Sequence, residues 1–296
     1  MDVVAFGSLA RQEYTPASDV DYLVLVNGIP DPAGPRRLLE LVKKCITDEA
    51  TVDGAETKQP GASGLFGRAI GVFDIINQVG LEGDTNLSHT IRMEIIQESI
   101  SLLNEPLHSA IVGNTLSRYI TLFDVPLGSP PRFLLNDMLR YWRQITVDYQ
   151  AKAPLGGQEP KAAMRYLKLL ITRKNFIASS ILPLIAPRDD SISWETYLKD
   201  IYAVPPLARL AWVTQGAPEN VLDAVRTVFR TIDLFIQRTD SREKRLLFED
   251  IPWQARKEDP GYLELRNAAR DLQNAFECIF FEWPEVAKNT RSHMLL

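Results

Sequence analysis

Asp19 and Asp21 stand two residues apart at the head of an apolar run that continues to Val26. On a strand this spacing puts both carboxylates on one face. Two ionised carboxylates side by side repel each other unless a cation lies between them, and hard oxygen donors suit magnesium or manganese. Ten residues separate Asp19 from a Gly7-Ser8 pair that ends the short β-prone run Val3 to Phe6. Gly7 has no Cβ, so the chain turns sharply there and a ligand can come close. Free N–H groups at the start of the stretch that follows suit a phosphate. Together these residues point to a metal-bound triphosphate. The plainer alternative is an N-capping Asp19 and a salt-bridged Asp21 in an ordinary α/β domain, since Asp-x-Asp alone is a weak motif.

The elements that must position these groups read as strand, Gly-Ser turn, short helix Leu9 to Tyr14, loop at Thr15-Pro16 and strand Val20 to Val26. Residues 27–35 are a loop by composition. Leu38, Leu41, Val42 and Cys45 give a helix from Pro35 to Asp48 its apolar face. Residues 49–64 read as loop with at most one short strand. Asp74 stands among apolar neighbours, or else opens a short helix ending near Gly80. A long helix is expected from Leu87 to about Asn104, capped by Thr85 or Asn86. Arg92 on it is read either as a phosphate contact or as the partner of a neighbouring Glu on the helix surface.

Gly128-Ser129-Pro130-Pro131 is the strongest boundary signal in the middle of the chain, and it divides the sequence into domains 1–128 and 129–296. Everything after it reads helical: Phe133 to Lys152, Lys161 to Leu182 closed by Pro183, Trp194 to Tyr202, Pro206 to Thr214, Glu219 to Arg238 and Tyr262 to Trp283. Thr239 to Glu258 reads as a charged loop, and the tail from Lys288 as frayed. Lys161, Arg165, Lys168 and Thr172 form one row, with Arg173 and Lys174 close by. That row either holds an anion, such as a triphosphate or an RNA end, or is a solvated face paired with carboxylates.

The 296 residues carry a formal charge of −5, which argues against duplex DNA as a partner. No apolar run is long enough to span a bilayer, and no signal peptide is read, so no membrane partner is expected. Cys45 and Cys278 lie far apart without metal-ligand spacing and read as free thiols of a cytoplasmic protein. The three histidines, His89, His108 and His293, form no cluster.

Gly7-Ser8, ten intervening residues and Asp19-Val20-Asp21 within an apolar strand resemble the signature of the DNA polymerase β-type nucleotidyltransferase superfamily. Arg11, Glu13, Thr15-Pro16 and Ser18-Asp19 look most like its uridylyl- and adenylyltransferase-like branches. The resemblance implies an α+β fold: a mixed sheet with helices to about residue 105, then an all-α domain that chooses the acceptor. It implies metal ligands at Asp19 and Asp21, and nucleotide contacts at Gly7, Ser8, Arg11 and Ser18, with Arg165 and Lys168 facing them. Such enzymes commonly carry a third carboxylate on a later strand. Asp74 is the first candidate for it, with Asp53 and Asp84 as the others. They also usually carry a helix before the Gly-Ser strand, for which this sequence leaves no room, so either that helix is trimmed from the sequence or another element covers the sheet.

The implied activity is magnesium- or manganese-dependent transfer of NMP from an NTP to a protein side chain, an RNA end or a small molecule. Two other readings stand beside it. One is a catalytically weak nucleotide sensor or toxin–antitoxin component that keeps the fold. The other is a scaffold with no triphosphate site.

Overall fold

The computed structural model describes residues 1–15, 18–28, 33–52, 65–121, 124–151 and 161–294, with the backbone alone at 49–52. The chain divides into two compact units: Met1–Tyr14 with Ser18–Asp124, and Thr15–Ala17 with Val125–Leu296.

The first unit is built on a four-stranded mixed sheet. Its strands are β1 (Asp2–Phe6), β2 (Asp21–Val26), β3 (Arg68–Gly71) and β4 (Ser99–Ser101), in the order β3-β2-β1-β4. β1 runs antiparallel to both β2 and β4, while β2 and β3 are parallel. A parallel pair needs a crossover, and helix α2 (Ala33–Val52) lies between these two strands in the chain.

β1 and β2 read as near-continuous apolar runs because both faces are covered. Val4, Phe6, Leu23 and Leu25 pack on Ile75, Ile91, Ile95 and Ile111, which lie on α3 (Val72–Asn77), α4 (Asn86–Gln97) and α5 (Glu105–Ile120). Val3, Tyr22, Val24 and Val26 face the other way, onto Leu38, Leu39, Val42 and Ile46 of α2. Burying each such side chain is worth about 1.5–3 kcal/mol. A one-residue slip in either strand would exchange the two faces. Among the described residues the sheet is therefore covered on one side by α2 and on the other by α3 to α5.

Several local expectations give way here. The first helix, α1, spans only Gly7–Ala10 and not Leu9 to Tyr14. The long helix expected to reach Asn104 stops at Gln97, because Glu98 takes φ −149° and ψ 57° and the chain turns into β4. Thr85 does cap α4, its side chain accepting from Ser88 N at 3.2 Å. α5 then starts afresh, with Asn104 as N-cap and Pro106 in its first turn. α2 extends through residues 49–52, which the sequence reads as loop.

The second unit is helical throughout its described residues: α6 (Arg132–Ala151), α7 (Ala162–Lys168), a π-helical segment Leu169–Arg173, α8 (Lys174–Ile185), α9 (Trp194–Tyr202), α10 (Pro206–Val213), α11 (Glu219–Thr239), α12 (Arg242–Glu249), α13 (Pro260–Phe281) and α14 (Pro284–His293). Pro183 does not close its helix. It stands inside the last turn of α8, where its missing N–H removes the helical donor to Ser179 O but does not stop the chain from continuing to Ile185. α12 occupies the stretch expected as a charged loop, and α14 the tail expected to fray. No helix among the described residues is long and apolar enough to cross a membrane.

Candidate active site at the Gly7 end of the sheet

The strand register brings Gly7 and Asp21 together. Phe6, the last residue of β1, pairs with Asp21, the first of β2, and on its other side with Ser99, the first of β4. Gly7 therefore leaves the sheet beside Asp21. It adopts φ +66°, and a Cβ there would lie 3.2 Å from Asp21 Oδ2. Glycine is needed twice over: for the left-handed backbone, and for room beside the carboxylate. Asp19 sits two residues before the strand at the same end and is half-buried, as is Asp21. The turn is closed by Arg11 N donating to Gly7 O at 3.0 Å and Glu13 N to Ser8 O at 2.9 Å. Ser8 and Ser18 are partly exposed at this end of the first unit.

Arg11 has a different place from the one its position in the motif implies. Its guanidinium is buried between two buried carboxylates, with Nε 2.9 Å from Glu13 Oε2 and Nη1 on Glu98 Oε2. Burial opposes its charge, but the field of Glu98 and then of Glu13 outweighs burial and raises its pKa. The group fastens the loop after Gly7 to the end of α4. Neither Glu13 nor Glu98 is marked by the sequence as a partner of Arg11. Glu98 lies 87 residues away, and only the β1–β4 pairing places it beside the turn.

The structure also places Arg68. It opens β3, pairs with Leu23 and so shares a sheet face with Asp21 one strand over. Strand spacing and rise put the two Cα atoms roughly 8 Å apart. Its Nε donates to Leu65 O at 3.0 Å, and among the described residues no carboxylate pairs with it. Sequence reading passes over Arg68 because nothing local marks it. Its relevance comes from the parallel pairing of β2 and β3.

The candidate third carboxylates lie elsewhere or outside the described residues. Asp74 is exposed in the first turn of α3. That turn follows Gly71, the partner of Val26 at the far end of β2. Five residue steps along β2 separate that end from Asp21, roughly 16 Å. The structure does not bring Asp74 to Asp19 and Asp21. Asp84 is held by Arg92, with Oδ2 2.6 Å from Nη2 and Oδ1 3.1 Å from Nη1, and it also accepts from Gly80 N and Ser88 Oγ. Asp53 lies outside the described residues. Among the described residues no three or more His, Cys, Asp or Glu side chains form a group able to hold a metal.

Arg92 is neither a phosphate contact nor the partner of a surface Glu. It is fully buried, and besides Asp84 its Nε donates to Tyr119 Oη at 2.7 Å and its Nη1 to Ile75 O at 3.3 Å. It is a strut joining α3, α4 and α5.

Arg165 and Lys168 belong to α7 in the second unit, both half-buried. The row they form does not continue in register. The π-helical segment begins at Leu169, and Thr172 is buried with its Oγ1 donating to Lys168 O at 3.1 Å. Lys161 pairs with Glu249 at 3.0 Å.

The donor chemistry at Asp19 and Asp21 fits a hard divalent cation. Two carboxylate ligands suit magnesium, which keeps waters and takes phosphate oxygens for the rest of its shell. The missing Cβ at Gly7 leaves space beside Asp21 Oδ2. No curated protein matches the chain. Residues 1–49, which contain Gly7-Ser8 and Asp19-Val20-Asp21 and reach into α2, match the nucleotidyltransferase domain family, so this segment carries the polymerase β-like signature.

Proposed function

We propose that the protein transfers a nucleotidyl group from an NTP to an acceptor hydroxyl, with Asp19 and Asp21 holding magnesium. The observation that carries this reading is the junction of Phe6, Gly7 and Asp21, where the register and the missing Cβ put a carboxylate beside the Gly7-Ser8 turn. When bound, the metal supplies charge neutralisation at the triphosphate and lowers the cost of ionising the acceptor.

The chain's own residues do the rest. Asp19 and Asp21 fix the cation against the head of β2. Gly7 and Ser8 offer backbone N–H groups, and Ser8 and Ser18 hydroxyls, to phosphate oxygens. Arg68 supplies the positive charge on the Asp21 face that Arg11 cannot, because Glu13 and Glu98 already neutralise Arg11. The buried Arg11 cluster keeps the Gly7 turn rigid, so that the groups are aligned before substrate arrives. The acceptor is a protein side chain, an RNA end or a small molecule.

A second reading, nucleotide sensing with little or no transfer, draws on one observation. The face of β3 next to Asp21 carries Arg68 where a third acid would complete a two-metal site. Thermal unfolding with each NTP, with and without magnesium, tests what the two readings share. Native-state binding raises the midpoint. A magnesium-dependent rise that Asp21→Asn removes supports the site. No rise with any NTP contradicts both readings.

A further inference from the structure

At the opposite end of β2 from Asp19 and Asp21, the first unit carries a cavity of about 660 Å³ that is open to solvent. Small-molecule sites typically span about 300–1,000 Å³. Asn27 and Gly28, just past β2, form one side. The first turn of α3 forms another, and the last turns of α5 the third.

The wall has two characters. Val72, Phe73 and Ile76 make it apolar on the α3 side, and Phe73 is 67% exposed, unusual for a ring of its size. The α5 side is polar, with Asn114, Ser117 and Arg118. Arg118 is held in place: Asn77 Oδ1 accepts from its Nη2, and Asn77 Nδ2 in turn donates to Phe73 O at 3.0 Å. That amide leaves most of the guanidinium donors unspent. Among the described residues no carboxylate pairs with Arg118, and no carboxylate lines the cavity, although the chain as a whole is acidic. An arginine fixed by a neutral amide rather than an acid keeps its full charge for something else.

We propose that this cavity binds a small molecule with one anionic group and one flat apolar ring. The anion meets Arg118, with Asn114 and Ser117 as further donors, and the ring lies against Phe73. The anionic group is a carboxylate or a phosphate, and the site is separate from the carboxylate pair.

The test is calorimetric titration of the full chain in EDTA with benzoate and with phenyl phosphate. At least one probe should bind. Exposed Asn114 allows Asn114→Asp without loss of packing, and that change should weaken binding about tenfold or more by placing a like charge beside the anion. Arg118→Lys keeps the charge that answers the α5 dipole and so serves as the fold control, yet should also weaken binding about tenfold because the fork of donors is lost. Phe73→Ala should weaken both probes, and Asp19→Asn should leave both unchanged. The proposal is overturned if neither probe binds, if Asn114→Asp and Arg118→Lys bind as wild type does, or if Asp19→Asn abolishes binding.

Discussion

Replacing Gly7 by Ala tests why a glycine stands beside Asp21. The residue has φ +66°, and an added Cβ would lie 3.2 Å from Asp21 Oδ2. Holding an L-residue in the left-handed region costs roughly 1–2 kcal/mol. The contact is tighter than ordinary van der Waals packing, so the carboxylate must also move by a few tenths of an ångström. Backbone strain alone predicts a fall of about 3–8 °C in the unfolding midpoint of the first unit. Displacement of Asp21 predicts a second loss that strain does not: magnesium-dependent NTP stabilisation should fall by more than the fold does. Gly28→Ala, in the same unit, is the control. It has φ +88° with open space around the Cβ position, so it carries the strain without the contact. Differential scanning fluorimetry with and without magnesium–NTP reads both effects. If Gly7→Ala keeps full magnesium-dependent stabilisation and loses no more stability than Gly28→Ala, Asp21 does not need the space that Gly7 leaves.

Arg11→Gln should unfold more readily, by about 3–5 kcal/mol, because it removes the buried cation that lies between the carboxylates of Glu13 and Glu98; denaturant titration measures it. Arg68→Gln should leave stability nearly unchanged and raise the NTP KM about tenfold with a smaller effect on kcat, so equal behaviour of the two variants would refute their separate roles. Arg92→Ala should cost about 3–5 kcal/mol by leaving Asp84 and Tyr119 without their buried partner. Burial alone would raise the Asp84 pKa, but the Arg92 hydrogen bonds and charge hold it below the ordinary carboxylate range. A carboxylate depressed on folding contributes stability above its unfolded pKa and loses it as pH falls through the folded value. The stability gap between wild type and Asp84→Asn should therefore be constant near neutrality and narrow below about pH 4. A gap of the same size at pH 7 and pH 3 would contradict this.

The Gly7-Ser8 and Asp19-x-Asp21 pairs are legible in the sequence because local spacing alone defines them. So are the central strands and most helices, whose apolar periods are strong. What the sequence hides depends on topology. β4 has only three residues, and Ile100 within it continues the helical spacing of Ile96 on α4, so the turn at Glu98 carries no local signal. Arg68 and Asp74 exchange relevance once β3 is known to run parallel to β2, since the head of that strand, not the helix after it, neighbours Asp21. Asp84 and Arg92 are eight residues apart, a spacing that no surface-pair rule connects, and they meet because a loop folds back on α4. α12 is missed because its buried face is carried by Phe248 and Arg245 amid charge.

The central claim is nucleotidyl transfer from the Asp19–Asp21 site, and matched reactions with α- and γ-labelled NTPs test it most directly. Wild-type protein, magnesium and a cell extract should pass the α-label to an acceptor and release the γ-label as pyrophosphate, and Asp19→Asn/Asp21→Asn should do neither while keeping its fold. Transfer of the γ-label, or undiminished α-transfer by the folded double variant, would contradict the account.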